Sequence, residues 1–200
     1  MKTQTKETQQ NVTPAIAYEI LKNGNKRFVQ NLRSMRNLQD QVVATSEGQY
    51  PFAVVLSCID SRVPAEMVFD QGIGDLFSVR VAGNIVNEDV LGSIEYGCKV
   101  AGSKIVVVLG HTKCGAVTAA CNHVELGNIT SLLHKIQAAV TAVNKEVTPE
   151  SIEETAIVNV ELSIERIRNE SPILAEMEQN GEIEIVGASY NVATGEVEFL

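Results

Sequence analysis

Two apolar, β-branched runs dominate the hydrophobic pattern of this chain, Phe52-Ala53-Val54-Val55-Leu56 and Ile105-Val106-Val107-Val108-Leu109. Neither alternates with polar residues, so each reads as a strand buried on both faces, over 52–57 and 104–109. Around them the pattern predicts a helix opening near Val63-Pro64-Ala65-Glu66, a strand over 76–81, a helix over 88–101 and a helix beginning at Cys114. Such alternation predicts an α/β fold, a mainly parallel β-sheet of about four core strands flanked by crossover helices. Helical periodicity continues over 128–144 and 150–170, and Ser171-Pro172 starts a shorter helix that Gly181 ends. Residues 183–188 then read as the last core strand. Residues 196–199 form a short terminal strand, set off by Asn191-Val192-Ala193-Thr194-Gly195.

At the other end Thr13-Pro14 supplies a cap and a first-turn proline, and Ile16, Ile20, Leu21 and Phe28 recur at helical spacing. This predicts an N-terminal helical arm over 14–33, amphipathic and in need of a surface to cover, behind a polar tail over 1–13. No repeat, low-complexity tract or compositional break divides the chain, so residues 1–200 read as one domain.

Composition narrows the function. Two hundred residues bury a core without help from disulfides or a structural metal. The balance is acidic, 25 Asp plus Glu against 16 Lys plus Arg, with no basic cluster, which argues against nucleic-acid binding. No apolar stretch approaches the roughly 18 residues of a membrane helix. The first thirteen residues are polar, unlike a secretion signal, so the four cysteines are expected reduced, in a cytoplasmic protein.

Each buried run ends at chemistry. Cys58-Ile59-Asp60-Ser61-Arg62 follows the first and His111-Thr112-Lys113-Cys114-Gly115 the second. If the two strands are parallel neighbours, Cys58, His111 and Cys114 converge on one crevice at the carboxyl edge of the sheet. Two thiolates and an imidazole suit a tetrahedral zinc, one per chain, and leave a fourth position for water or substrate. A lone cysteine is ordinarily a small buried hydrophobe, and Cys98 and Cys121, inside helical patterns without polar company, are read that way. His123 and His134 read as surface or helix-face residues. Asp60 and Arg62, two apart on a segment leaving a strand, can pair bidentately. Beside a metal that carboxylate can instead accept a hydrogen bond from zinc-bound hydroxide or take the vacant site, with Arg62 deciding between them. Gly110 to Gly115 has the glycine spacing of a phosphate loop, but Ala116-Val117 stand where lysine and a hydroxyl residue are required. Gly72-Ile73-Gly74 reads as a turn.

Together, Cys-x-Asp-Ser-Arg and His-x-x-Cys-Gly resemble the motifs of the β-class carbonic anhydrases. The likeness extends from Gly24-Asn25-Lys26-Arg27-Phe28 through Phe77-Ser78-Val79-Arg80 and Ala82-Gly83-Asn84 to Gly195-Glu196-Val197-Glu198-Phe199. The resemblance implies zinc held by Cys58, His111 and Cys114, Asp60 and Arg62 as the catalytic pair, and the Gly115 backbone near the substrate. It implies a small CO2 pocket lined by Phe77, Ala82 and Tyr96, with Gln49, Phe77 and Tyr96 reaching across the interface of a homodimer or higher oligomer. The activity implied is reversible hydration of CO2 to bicarbonate and a proton, by attack of a zinc-bound hydroxide. Two thiolate ligands make that water less acidic than three imidazoles would, so activity should rise with pH. Gln49, nine residues before Cys58, matches the glutamine of the family's readily active type. The bicarbonate-inhibited type carries tryptophan where this chain has Val55. Val100 occupies the position of a proton-moving histidine of plant-like members, so the proton shuttle is unassigned, and Ala116 replaces a glycine, which should narrow the pocket without abolishing it. Hydrolysis of carbonyl sulfide or carbon disulfide on the same scaffold is one alternative. Zinc binding without catalysis is another, against which the intact Asp60 and Arg62 argue.

Overall fold

The computed structural model describes residues 3–200. Its five-stranded sheet has the order β2-β1-β3-β4-β5, from β1 (Ala53–Ser57), β2 (Leu76–Arg80), β3 (Ile105–His111), β4 (Glu184–Tyr190) and β5 (Val197–Phe199). The first four run parallel, and β5 folds back antiparallel on β4. β1 and β3 are buried at every position, as their unbroken apolar runs require when both faces are covered. The chain leaves β1 to one side to form β2 and returns on the other side as β3. The crevice at that switch point opens between the carboxyl ends of β1 and β3.

One face of the sheet is covered by α2 (Pro14–Val29) and the single turn α4 (Ala65–Val68), which pack Ala17, Leu21, Val68 and Phe69 on Val55 and Val107. The other carries α5 (Glu88–Glu95), α9 (Pro149–Glu170) and α10 (Pro172–Gln179), whose Leu91, Ile94, Val160, Ile167 and Leu174 meet Val54, Leu56, Val106 and Val108. The N-terminal helix therefore covers its own sheet. Its apolar face is no argument for a second copy, and the expected arm is a packed helix ending at Val29. Gly24 shows how closely α2 is seated, since a Cβ there would stand 1.8 Å from the Phe69 carbonyl oxygen. Asn25 beside it is buried, donates to the carbonyls of Val68 and Gly195, and accepts from the Val197 amide at 2.9 Å. One side chain thus ties α2, α4 and the β5 hairpin.

Four departures from the sequence pattern have local causes. The polar tail contains a short helix, α1 (Lys6–Gln10), and docks through side-chain hydrogen bonds: Thr3 to Asp75 and the Ile73 carbonyl, Gln9 to the Pro51 and Ala101 carbonyls. α3 (Leu38–Thr45) has Gln41 as its buried residue, so no apolar stripe announced it. The helix expected over 88–101 changes at Tyr96 into a π turn running to Val100, where Gly97 lies against Val54 and Phe77. The helix expected over 128–144 is two, α7 (Gly127–Leu133) and α8 (Gln137–Val143), parted by i to i−3 bonds at Lys135 and Ile136. Between α2 and α3, Asp70 gathers the Arg27 Nε at 2.6 Å, the Arg36 guanidinium at 2.5 Å and the Ser34 amide. Burial raises the Asp70 pKa, but these donors outweigh it and hold the carboxyl below its ordinary value. Among the described residues no helix is long and apolar enough to cross a membrane.

Candidate metal centre

Cys58 follows the last residue of β1, His111 is the last residue of β3, and Cys114 caps the helix α6 (Gly115–Cys121). Because Ser57 is level with Leu109 across the parallel pair, the strand ends bring the three together. β3 runs two residues beyond the expected 109, since β4 extends to pair Tyr190 with His111. The donor atoms all lie within 4.8 Å of one another, and their residues are 4%, 1% and 2% exposed. A tetrahedral zinc, with bonds of about 2.3 Å to sulfur and 2.0 Å to nitrogen, holds its ligands about 3.5–3.8 Å apart, within that envelope.

The surrounding hydrogen bonds fit a cation. His111 Nδ1 lies 2.9 Å from the Thr112 carbonyl oxygen, which fixes the ring with its proton there. Nε2 is then an acceptor, buried and without a hydrogen-bond partner. A buried lone pair left unmatched is costly unless something electropositive meets it. The Gly83 N–H donates to the Cys58 sulfur at 3.3 Å. Donation from Cys114, opposed by burial and aided by the Gly83 and Asp60 amides, pulls the Cys58 thiol down to about 4. Cys114 is pushed up for the same reason, first by its bond to Cys58 and then by burial. Burial holds the His111 pKa down, but the Cys58 thiolate outweighs it and the net shift is upward. Metal binding displaces protons from a site of this kind.

Asp60 stands beside the cluster with both carboxylate oxygens taken by Arg62, Nε to Oδ1 at 2.9 Å and Nη2 to Oδ2 at 2.7 Å. This fork holds the Asp60 carboxyl well below the usual carboxylate range. Arg62 also reaches the Lys113 carbonyl, and Lys113, with φ of 55°, gives its N–H to Glu153 on α9. Arg80 braces the loop from the far side through the carbonyls of Cys58 and Asp60. Glu153 and Arg80 lie outside the two clusters and act on backbone, and Thr112, inside the second, acts through its own carbonyl, so none of the three shows in the side-chain motif.

The expected substrate residues divide into two groups. Ala82 precedes Gly83 and Gly115 follows Cys114, so both stand at the cluster. Phe77 is level with Val54, roughly 13 Å along the strand from Cys58 at 3.3 Å per residue. It packs edge-on against Tyr96 at 6.2 Å, and Tyr96 is 54% exposed. Gln49 precedes the amino end of β1 and is exposed. One chain does not bring Gln49, Phe77 and Tyr96 to its own cysteines. Cys98 and Cys121 are buried core residues, and all four cysteines are free. Burial pushes the Cys98 thiol up to about 12.

The sequence model of the carbonic anhydrase family matches residues 53–197. A carbonic anhydrase of Mycolicibacterium smegmatis is 37% identical over 194 residues, with 94% of each chain covered. Carbonic anhydrase 2 of Mycobacterium tuberculosis is 35% identical over 192 residues, with 92% of each covered. Among solved structures, a β-carbonic anhydrase of Aspergillus fumigatus superposes with a TM-score of 0.74 at 25% identity over 81% of each chain. A tetrameric β-carbonic anhydrase of Sordaria macrospora shares the fold over 98% of each chain, with a TM-score of 0.74 at 22% identity.

Proposed function

The chain belongs to the β-carbonic anhydrase family and is an enzyme of that class, and on that premise we propose that it hydrates CO2 to bicarbonate at a zinc ion held by Cys58, His111 and Cys114. The observation that carries the reading is the convergence of two cysteine sulfurs and the unpartnered His111 Nε2 beside an intact Asp60–Arg62 fork. When bound, zinc supplies a Lewis acid able to generate hydroxide near neutral pH.

The chain's own residues do the rest. The Thr112 carbonyl keeps His111 in the tautomer that presents Nε2, and the Gly83 amide steadies the Cys58 thiolate. Asp60, ionised and fixed by Arg62, accepts the hydrogen bond that aims the attacking oxygen at the CO2 carbon. Arg62 holds the Asp60 carboxylate so that it would not become a ligand to a metal held by Cys58, His111 and Cys114, which with Gln49 and Val55 supports the readily active type. Ala82 and Gly115 line the CO2 site from one chain, and Gln49, Phe77 and Tyr96 complete it from a second copy. The minimum active unit is a homodimer. A reducing cytoplasm suits the site, because two sulfurs this close are a disulfide hazard elsewhere.

The test measures zinc content and stopped-flow CO2 hydration on one purified sample. About one zinc per chain with rapid hydration is expected. Zinc without hydration would leave a binding protein, and faster turnover of carbonyl sulfide than of CO2 would move the activity to the sulfur analogue.

A further inference from the structure

We propose that Asn159 is a positioning residue for the metal centre, holding Gly83 so that its N–H stays on the Cys58 sulfur; the inference rests on the metal reading of Cys58, His111 and Cys114. Asn159 lies in the middle of α9, 4% exposed, on the same core-facing stripe as Ala156 and Val160. An amide at such a position costs desolvation unless it is hydrogen-bonded. Its Nδ2 donates to the Gly83 carbonyl at 2.9 Å, across 76 residues of sequence.

The Gly83 turn needs an outside clamp. A Cβ at residue 83 would stand 2.6 Å from Ile136 Cδ1 and 3.2 Å from the Ala116 Cβ, and φ is 69°, so the position requires glycine. Glycine has no side chain to anchor and the widest backbone freedom of any residue. Asn84 follows with φ of 42°, a second left-handed residue in succession. Asn159 fixes the carbonyl side of Gly83, and the N–H side then points at Cys58. A hydrogen bond to a metal-bound thiolate draws electron density from sulfur and makes the metal a stronger Lewis acid. Asn159 thereby sets how strongly Cys58 donates, without touching metal or substrate.

The test replaces zinc with cobalt(II) or cadmium-113 in the full chain. Asn159→Leu keeps the branching and size of the side chain and removes the donor. The sulfur-to-cobalt charge-transfer band should move to lower energy as Cys58 regains electron density, and metal retention against a chelator should fall by about 10-fold because the turn no longer holds the site pre-formed, with the circular dichroism unchanged. A wild-type spectrum and retention in the variant would overturn the proposal. The wild type supplies a second measurement that does not depend on the variant folding. With cadmium-113 bound, the Gly83 amide proton should show coupling to the metal through the N–H···S bond, and absence of that coupling would overturn the role of Asn159 alone. A wild type that takes up neither metal would overturn the metal reading itself.

Discussion

At the residue scale the chemistry turns on Asp60 and Arg62. If Arg62 restrains the carboxylate, Arg62→Ala frees Asp60 to take the fourth position on the metal, abolishing activity while zinc stays bound. Asp60→Ala cannot block the metal, and the loss of one orienting hydrogen bond should lower kcat by about 10² to 10³ fold. Equal, stability-driven losses in both variants would mean an ordinary ion pair. The sign of the Asp60 shift gives a second check. A carboxyl whose folded pKa is depressed contributes stability above its unfolded value of about 3.8, and that contribution is lost as the pH falls through the lower folded value. A carbon-13 titration of Asp60 should therefore find its midpoint below 3.8. A midpoint at or above the ordinary carboxylate value would contradict the fork. These residues were legible because chemistry-bearing side chains sit where apolar runs stop. Asn159 was not, although a polar residue among Ala156, Val160 and Ile167 on one helical stripe is a signal that periodicity analysis can detect.

At the element scale, α2 and Asp70 carry the predictions. Alanine is better than glycine in a helix by about 1 kcal/mol, yet Gly24→Ala should destabilise, because its Cβ would stand 1.8 Å from the Phe69 carbonyl oxygen and helix and turn must part. Thermal denaturation decides it, and a raised Tm would refute the close seating of α2. Asp70→Asn removes the charge that meets Arg36, whose side chain is 8% exposed, and a broken buried pair costs about 3 kcal/mol. Chemical denaturation should show a loss of that size, and an unchanged midpoint would mean that the pairing contributes nothing. Neither interaction was visible in the sequence, since backbone proximity and long-range ion pairs leave no periodic trace. The same reason hid α3 and the docked N-terminal segment, which are held by Gln41, Thr3 and Gln9 rather than by apolar faces. β1 was readable almost to the residue and β3 up to its last two, because burial on both faces leaves an uninterrupted apolar run.

At the scale of the whole molecule, the separation of Gln49, Phe77 and Tyr96 from the cysteines makes a prediction about assembly. If a second copy supplies them, Cys58→Ala and Gln49→Ala chains, each crippled alone, should complement when co-expressed. In a mixed dimer one site has an intact metal centre from one chain and Gln49 from the other, so random pairing should recover about a quarter of wild-type activity. No recovery would place the whole site within one chain. The central claim, that CO2 hydration depends on a metal at Cys58, His111 and Cys114, is tested most directly by titrating zinc into the metal-free protein and following stopped-flow hydration. Activity should rise linearly and break at about one zinc per chain, while His111→Ala gains none. Undiminished hydration in the metal-free protein, or an equal gain in His111→Ala, would contradict it.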